Sequence, residues 1–272
     1  MTDTERIEDT PAELADRFRA EAAARGVPAA EVEAYVRTAR PAVYLAQGGD
    51  GPVVAVTGGQ PPLPEGVPAP AAAFVAAVDC AALPPGATDL PLPAEGLLLF
   101  FADADPGSGA VLPDAVRYLP AGTTPLPEWA REREDGPYRR AHLDFCFHQW
   151  SWPWRDEDDE EDAEGAEGAE GAEESAWAAE LESAWSHVVG WRPRWRFQLG
   201  GEPVLFNWDP VEVARDEVPP AAADGEEWTL LATWRGDEDC EELESGLFHW
   251  VIRRSDLAAL RFDRLYVYVD AF

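Results

Sequence analysis

Four side chains with metal-competent donors fall between positions 142 and 148: His142, Asp144, Cys146 and His148. On a strand, where side chains alternate, all four even positions share one face; on a helix His142 and Cys146 do. Structural zinc sites draw paired ligands from two separated segments, and no second pair accompanies this one. HLDFCFHQW therefore reads as a strand with one half-buried face, and no metal ligand or cofactor is assigned. Asp79 and Asp103 close predicted strands of the first half. A glycosidase needs two carboxylates about 5–10 Å apart, one of them kept protonated by burial. Among 53 acidic residues a close pair carries little information, so each is read as capping a strand end.

Other constellations suit binding better than catalysis. In WRPRWRF, strand alternation puts Arg192, Arg194 and Arg196 on one face and Trp191, Trp195 and Phe197 on the other, a row able to hold an anion or clamp acidic chain. HQWSWPW sets Trp150, Trp152 and Trp154 at a spacing of two, either an aromatic shelf or a strand sealing a Trp-rich core. Asn207, Trp208 and Asp209 form a polar–aromatic spot inside a GG-containing block. No G-x-S-x-G, H-E-x-x-H or G-x-x-x-x-G-K-[ST] occurs. All 21 basic residues are Arg, which excludes a lysine Schiff base. No catalytic residue is assigned.

The elements that position these groups follow from punctuation and periodicity. Thr10, Pro11 and Glu13 supply an N-cap, a first-turn proline and a capping-box acid for a helix that Gly26 stops. A second helix covers Ala29 to Ala39, ended by Pro41, and Leu14, Phe18, Val32, Tyr35 and Val36 form the buried stripes. Short strands follow at 43–46, 53–57, 74–78, 97–101 and 115–119, separated by Pro/Gly-rich connections. Residues 156–174 hold 12 acids and no base, including three AEG units, and are predicted to be a disordered loop. A helix over 176–189 and strands at 204–206, 229–234, 247–252 and 264–270 complete the pattern, with a helical turn over 255–260 capped by Ser255.

An internal echo organises the chain. GGQPPLPEGVP (58–68) and GGEPVLFNWDP (200–210) share GG-x-P-x-L and a further proline at the same offset. Each precedes an apolar strand, AFVAAVD or TLLATWR, and then a glycine opening another: Gly96 before LLLFFAD, Gly246 before LFHWVIR. The fold class is α+β: two related antiparallel β-units, an internal duplication, with N-terminal helices. As a single domain over 1–272 it divides into helices (1–40), a first β-unit (41–155), the acidic loop (156–174) and a second β-unit (175–272).

GGQPPLPEGVP, AFVAAVDCAALP and LPAEGLLLFFADAD resemble the first-half signature of the YwqG-like family, a bacterial domain family of unknown function. LGGEPVLFNWDP through GLFHWVIRRSDLAALRFDRLYVYV resembles its C-terminal portion, so the match spans roughly residues 40–272 in ordered blocks. The resemblance implies an α+β fold with antiparallel sheets and two related halves; it implies no reaction. The glutamine of the family's A-Q-x-D strand is Ala77 here, while Asp79 is kept; the matching positions in the second half are Thr233 and Arg235. The family's histidine before the second GG is replaced by Phe197-Gln198-Leu199.

A net charge of −32 argues against nucleic acid as a partner, since gripping phosphates needs basic side chains. Omitting the acidic loop still leaves −20. No apolar run approaches a membrane span, the acidic N-terminus is unlike a secretory leader, and three scattered cysteines suit reduced thiols. The expectation is a cytoplasmic, non-enzymatic binding protein recognising a basic protein partner in an immunity-like or regulatory role. The alternative is an enzyme or small-ligand binder using a pocket at the seam between the halves, lined by Asp79, Asp103, Asn207, Trp208 and Asp209. Oligomeric state is left open.

Overall fold

A computed structural model describes residues 11–47, 52–103, 109–123, 141–151, 154–155, 177–189, 195–205, 207–218, 227–236 and 246–270. The predicted acidic loop, with Trp152, Arg192 and Arg194, lies outside them. Helices α1 (Pro11–Ala24) and α2 (Ala29–Thr38) form where proline and acidic first turns favour them. Gly26, at φ 83°, takes the left-handed conformation that ends α1. A third helix, α3 (Ala178–Val189), packs its Leu181, Ala184, Trp185 and Val188 on Leu14, Phe18, Val32 and Val36. Arg17 Nη2 donates to the Val188 carbonyl (2.7 Å) and so tethers α1 to the end of α3.

The remaining chain is dominated by antiparallel β-structure. The strands are β1 (Arg40–Ala46), β2 (Val53–Thr57), β3 (Ala73–Asp79), β4 (Leu97–Ala102), β5 (Ala110–Val111), β6 (Val116–Leu119), β7 (Ala141–Ser151), β8 (Trp154–Arg155), β9 (Phe197–Gly200), β10 (Val204–Leu205), β11 (Trp228–Arg235), β12 (Leu247–Arg253) and β13 (Tyr266–Asp270). Eleven join one sheet in the order β5-β13-β12-β11-β9-β1-β7-β2-β3-β4-β6, while β8 and β10 pair in parallel apart from it. The fold is therefore α+β with N-terminal helices, as expected.

The sheet order has a plan. Strands β2-β3-β4-β6 and β9-β11-β12-β13 are two meanders laid out in opposite directions. Between them lie β1 and β7, paired with each other, β1 also with β9 and β7 also with β2. Both meanders carry a register shift at matching places, Phe74/Ala76 and Leu230/Ala232. Both double glycines are left-handed, at φ 62° and 77° for Gly58-Gly59 and 64° and 77° for Gly200-Gly201. Only glycine adopts such a pair without strain, which explains the GG motif.

The sheet wraps around its main core. Its two edge strands, β5 and β6, are separated by four residues of chain. Leu112 N donates to Leu265 O, and Phe101 N to Ala115 O. Strands β4 and β12 lie far apart in the sheet order yet meet inside: the Phe100 ring is 5.1 Å from those of Phe197 and Trp250, and Trp250 Nε1 donates to Phe101 O (3.1 Å). Hydrophobic burial of this kind is the main favourable term for the fold.

Several local expectations need correction. The helix α4 (Pro210–Glu217) stands where the sequence suggested only a polar–aromatic spot; Asp209 caps it and Pro210 opens it. The last helix, α5 (Arg254–Ala258), starts before Ser255, and Arg253 holds the cap position without a side-chain bond. Trp195 and Phe197 do not share a face: Phe197 enters the core, while Trp195 packs on Tyr44 (5.6 Å). Ladder pairing of β9 begins at Phe197, so strand alternation does not extend to Trp195. The tryptophan run is not one strand either, because β7 ends at Ser151 and Trp154 begins β8. In β7 the pairing skips Cys146, which interrupts the period of two between His142 and His148.

Candidate functional site

The carboxylates singled out in the sequence hold backbone amides. Asp79 Oδ1 accepts from Ala81 N (3.0 Å) at the turn after β3, and Asp103 Oδ1 accepts from Ala73 N (3.3 Å) at the opposite end of the same hairpin. Six residue steps run from Ala73 to Asp79 along β3, about 20 Å, too far for a paired-carboxylate mechanism. Asp209 Oδ1 accepts from Val211 N (2.7 Å). Asn207 anchors its loop to β13, donating from its backbone N (3.2 Å) and Nδ2 (2.6 Å) to the buried Asp270 carboxylate. Trp208 beside it is 51% exposed, followed along α4 by exposed Glu212, Asp216 and Glu217.

Of the aromatic and arginine surface, Arg196 lies 6.0 Å from the centroid of Trp234. The ladder positions of Trp150 and Trp154 are opposite Pro41 and Val204. No group of three metal-ligating side chains occurs among the described ones, which leave out the side chains of β7 with His142, Asp144, Cys146 and His148, and no described helix is long and apolar enough to cross a membrane. Cys80 is a free thiol, raised by burial to about 12, which keeps it protonated and unreactive.

A different set of polar residues converges where sequence reasoning assigned nothing. Tyr44 on β1, Gln198 on β9, Thr233 on β11, His249 on β12 and Tyr268 on β13 are ladder partners in turn, forming one row across the outer face of the second half. Gln198, Thr233 and His249 are completely buried. Gln198 Nε2 donates to Gly200 O (2.9 Å) and Glu202 O (2.8 Å), which bends the second double-glycine turn back over the row. Thr233 Oγ1 meets His249 Nδ1 at 3.0 Å, and Tyr268 stacks on the imidazole. Burial lowers the His249 pKa to about 3, so the ring is neutral at physiological pH. Burial, helped by Asp270 and Glu217, pushes Tyr268 up to about 12.

Two atoms of the row, Gln198 Oε1 and His249 Nε2, are buried without a hydrogen-bond partner among the described residues. Each such group typically costs about 1–3 kcal/mol. The first half avoids that cost: its corresponding row runs His142, Val56, Ala77, Leu99 and Arg117, and Val56, Ala77 and Leu99 belong to an apolar cluster. A sequence signal for this contrast exists, since Leu99 and His249 each stand three residues after the glycine that opens their strand.

The turn above the row is fixed by charge. Arg40 on β1 meets Glu202 (2.9 Å), Asp89 (3.4 Å) and Glu227 (3.4 Å), and Arg254 reaches Asp89 (3.5 Å). Burial raises the Glu202 carboxyl, with Arg40 pulling the other way. The long β3–β4 connection of the first half thereby clasps the second half's double-glycine turn, where Thr88 and Leu90 crowd Gly200.

No curated protein matches the chain. A family model described as a domain of unknown function, DUF1963, matches residues 56–271, from β2 through β13 and so across both meanders and the polar row. The chain belongs to this family, whose activity is undescribed.

Proposed function

We propose that the chain is a cytoplasmic, non-enzymatic binding protein that recognises a cationic protein partner through an acidic surface centred on α4. The observation that carries this reading is Trp208, the one aromatic side chain among the large exposed hydrophobic residues of the described chain. It stands at the start of a helix bearing exposed Glu212, Asp216 and Glu217 against one exposed cation, Arg215, with Glu217 also accepting from Tyr266 Oη. An indole face beside carboxylates suits an arginine or lysine, by cation–π attraction and ion pairing together. The net charge of −32 would steer such a partner into rapid encounter. The capping duties of Asp79, Asp103 and Asp209 favour binding over carboxylate catalysis.

The two meanders are read as copies of one β-unit, as the resemblance to the YwqG-like family implies. Their shared strand order, register shifts and left-handed glycine pairs support this.

The test is affinity capture of the intact protein from native lysate at low and high ionic strength, alongside Trp208→Ala. One stoichiometric basic partner, released by salt and lost in the variant, is expected. A partner indifferent to the substitution, or no partner at either salt, overturns the reading.

A further inference from the structure

The buried row of the second half contains more hydrogen-bonding capacity than the chain around it uses. Both amide hydrogens of Gln198 are engaged by the carbonyls of Gly200 and Glu202, which fixes the orientation of the side chain and leaves Oε1 as an acceptor with no donor among the described residues. The Thr233–His249 contact allows two proton arrangements. With the ring hydrogen on Nδ1, the threonine hydrogen, His249 Nε2 and Gln198 Oε1 would all lack partners. With the threonine hydroxyl donating to Nδ1, the ring hydrogen sits on Nε2, and only one donor and one acceptor remain open. The second arrangement strands fewer groups and is the one assigned. The row thus offers an acceptor from β9 and a donor from β12, with Thr233 on β11 between them.

These open groups are complementary, and they occupy ladder positions where the first half is apolar and closed. The parent strands are two ladder steps apart, about 10 Å between backbones. That spacing suits a ligand group whose donor and acceptor are separate atoms better than a single oxygen. The dry surroundings, with Tyr268 stacked on the imidazole, favour an uncharged group over an ion. We propose that the Gln198–Thr233–His249 row is a binding site for a small uncharged ligand bearing a primary carboxamide. The ligand N–H is accepted by Gln198 Oε1, and the ligand oxygen accepts from His249 Nε2–H. The proposal does not use Trp208 and is independent of any protein partner.

Acetamide is the probe, and the imidazole nitrogens of the intact 15N-labelled protein are the readout, His249 being assigned among the four histidines by His249→Leu. Acetamide is expected to shift His249 Nε2 saturably. N,N-dimethylacetamide keeps the carbonyl but lacks the N–H, and should bind about tenfold more weakly, the loss of one hydrogen bond. Gln198→Met, which removes the open acceptor together with the Nε2 donor to Gly200 and Glu202, should erase the preference between the two amides. Replacing the row by its first-half counterparts, Gln198→Val with Thr233→Ala and His249→Leu, should leave no acetamide response. A His249 signal unmoved by acetamide overturns the proposal, as does equal response to both amides. A bridging water that acetamide does not displace overturns it too. The measurements on the unmodified protein stand even where a variant fails to fold.

Discussion

At one ladder level the two halves of the sheet are built in opposite ways. Val56, Ala77 and Leu99 pack under Leu63 and Ala72 and need no hydrogen bonds from their side chains. Gln198, Thr233 and His249 occupy the corresponding places, equally inaccessible to water, and leave two polar atoms open. Strand order and register are shared, so the backbone does not require the polarity. A row that one half fills with apolar side chains marks the polar side chains of the other half's row as carried at a cost in stability.

The comparison breaks most sharply if its polar side is moved across. Leu99→His places an unpartnered imidazole among apolar neighbours and should destabilise by about 4 kcal/mol, from lost packing and unmet hydrogen bonding together; urea denaturation measures it. A loss under about 1 kcal/mol would mean the first half tolerates polarity as readily as the second.

The glycines give the next effect. Gly96, at φ 90°, would bring a Cβ to 2.5 Å from Leu119 O, whereas Gly26, at φ 83°, has open space around it. Gly96→Ala should cost about 3 kcal/mol and Gly26→Ala about 1 kcal/mol, the second being the backbone preference alone. Equal losses in thermal melts would show that the strand-opening glycine is there for conformation only.

His249 supplies a pH signature. Its folded pKa of about 3 lies below the roughly 6.5 of a free imidazole. Between those values the unfolded chain binds a proton that the folded chain refuses, so stability falls as pH drops through that window. From pH 7 to pH 5 the wild type should lose about 2 kcal/mol more than His249→Leu, at about 1.4 kcal/mol per unit below 6.5. Denaturation of both at the two pH values checks this, and a pH-independent difference would place the ring in contact with water.

The smallest effect separates the caps. Asp209→Ala should cost about 1 kcal/mol, because it uncaps a two-turn helix whose Ala214 packs over the second half. Asp79→Ala uncaps only the short turn Cys80–Ala82 and should cost about half as much. Reversed magnitudes would mean that Asp79 does more than hold its turn.

Much of this architecture was legible beforehand. Proline at position 11, glycine at 26 and the spacing of Leu14 and Phe18 mark α1, and the apolar runs after Gly96 and Gly246 mark β4 and β12, because local chemistry decides such elements. The central pairing of β1 with β7 was not legible, since periodicity says which face a residue takes but not which strand lies alongside. The polar row was hidden for the same reason. Gln198, Thr233 and His249 are 35 and 16 residues apart in sequence and become neighbours only through ladder register. Asp209 shows a second role that the sequence did not assign: a carboxylate before a proline that caps a helix.

The central place of β1 in the sheet also governs how the chain is made. Val43 pairs with Leu199 on one side, and Ala42 with Gln149 on the other. At the usual 5–20 residues per second, a ribosome takes roughly 8–30 s to bring out the about 155 residues between Val43 and its β9 partner. Throughout that interval the β9 side of β1 is an open hydrophobic edge that can pair with a strand of another nascent chain, although β7 reaches its other side earlier. Strands β1, β7, β2, β3, β4 and β6, all within residues 40–151, are neighbours in the sheet and can pair before β9 is made, whereas the second meander joins the β1 edge last. Yield in the cell depends on keeping one edge of an early strand unpaired until late sequence arrives.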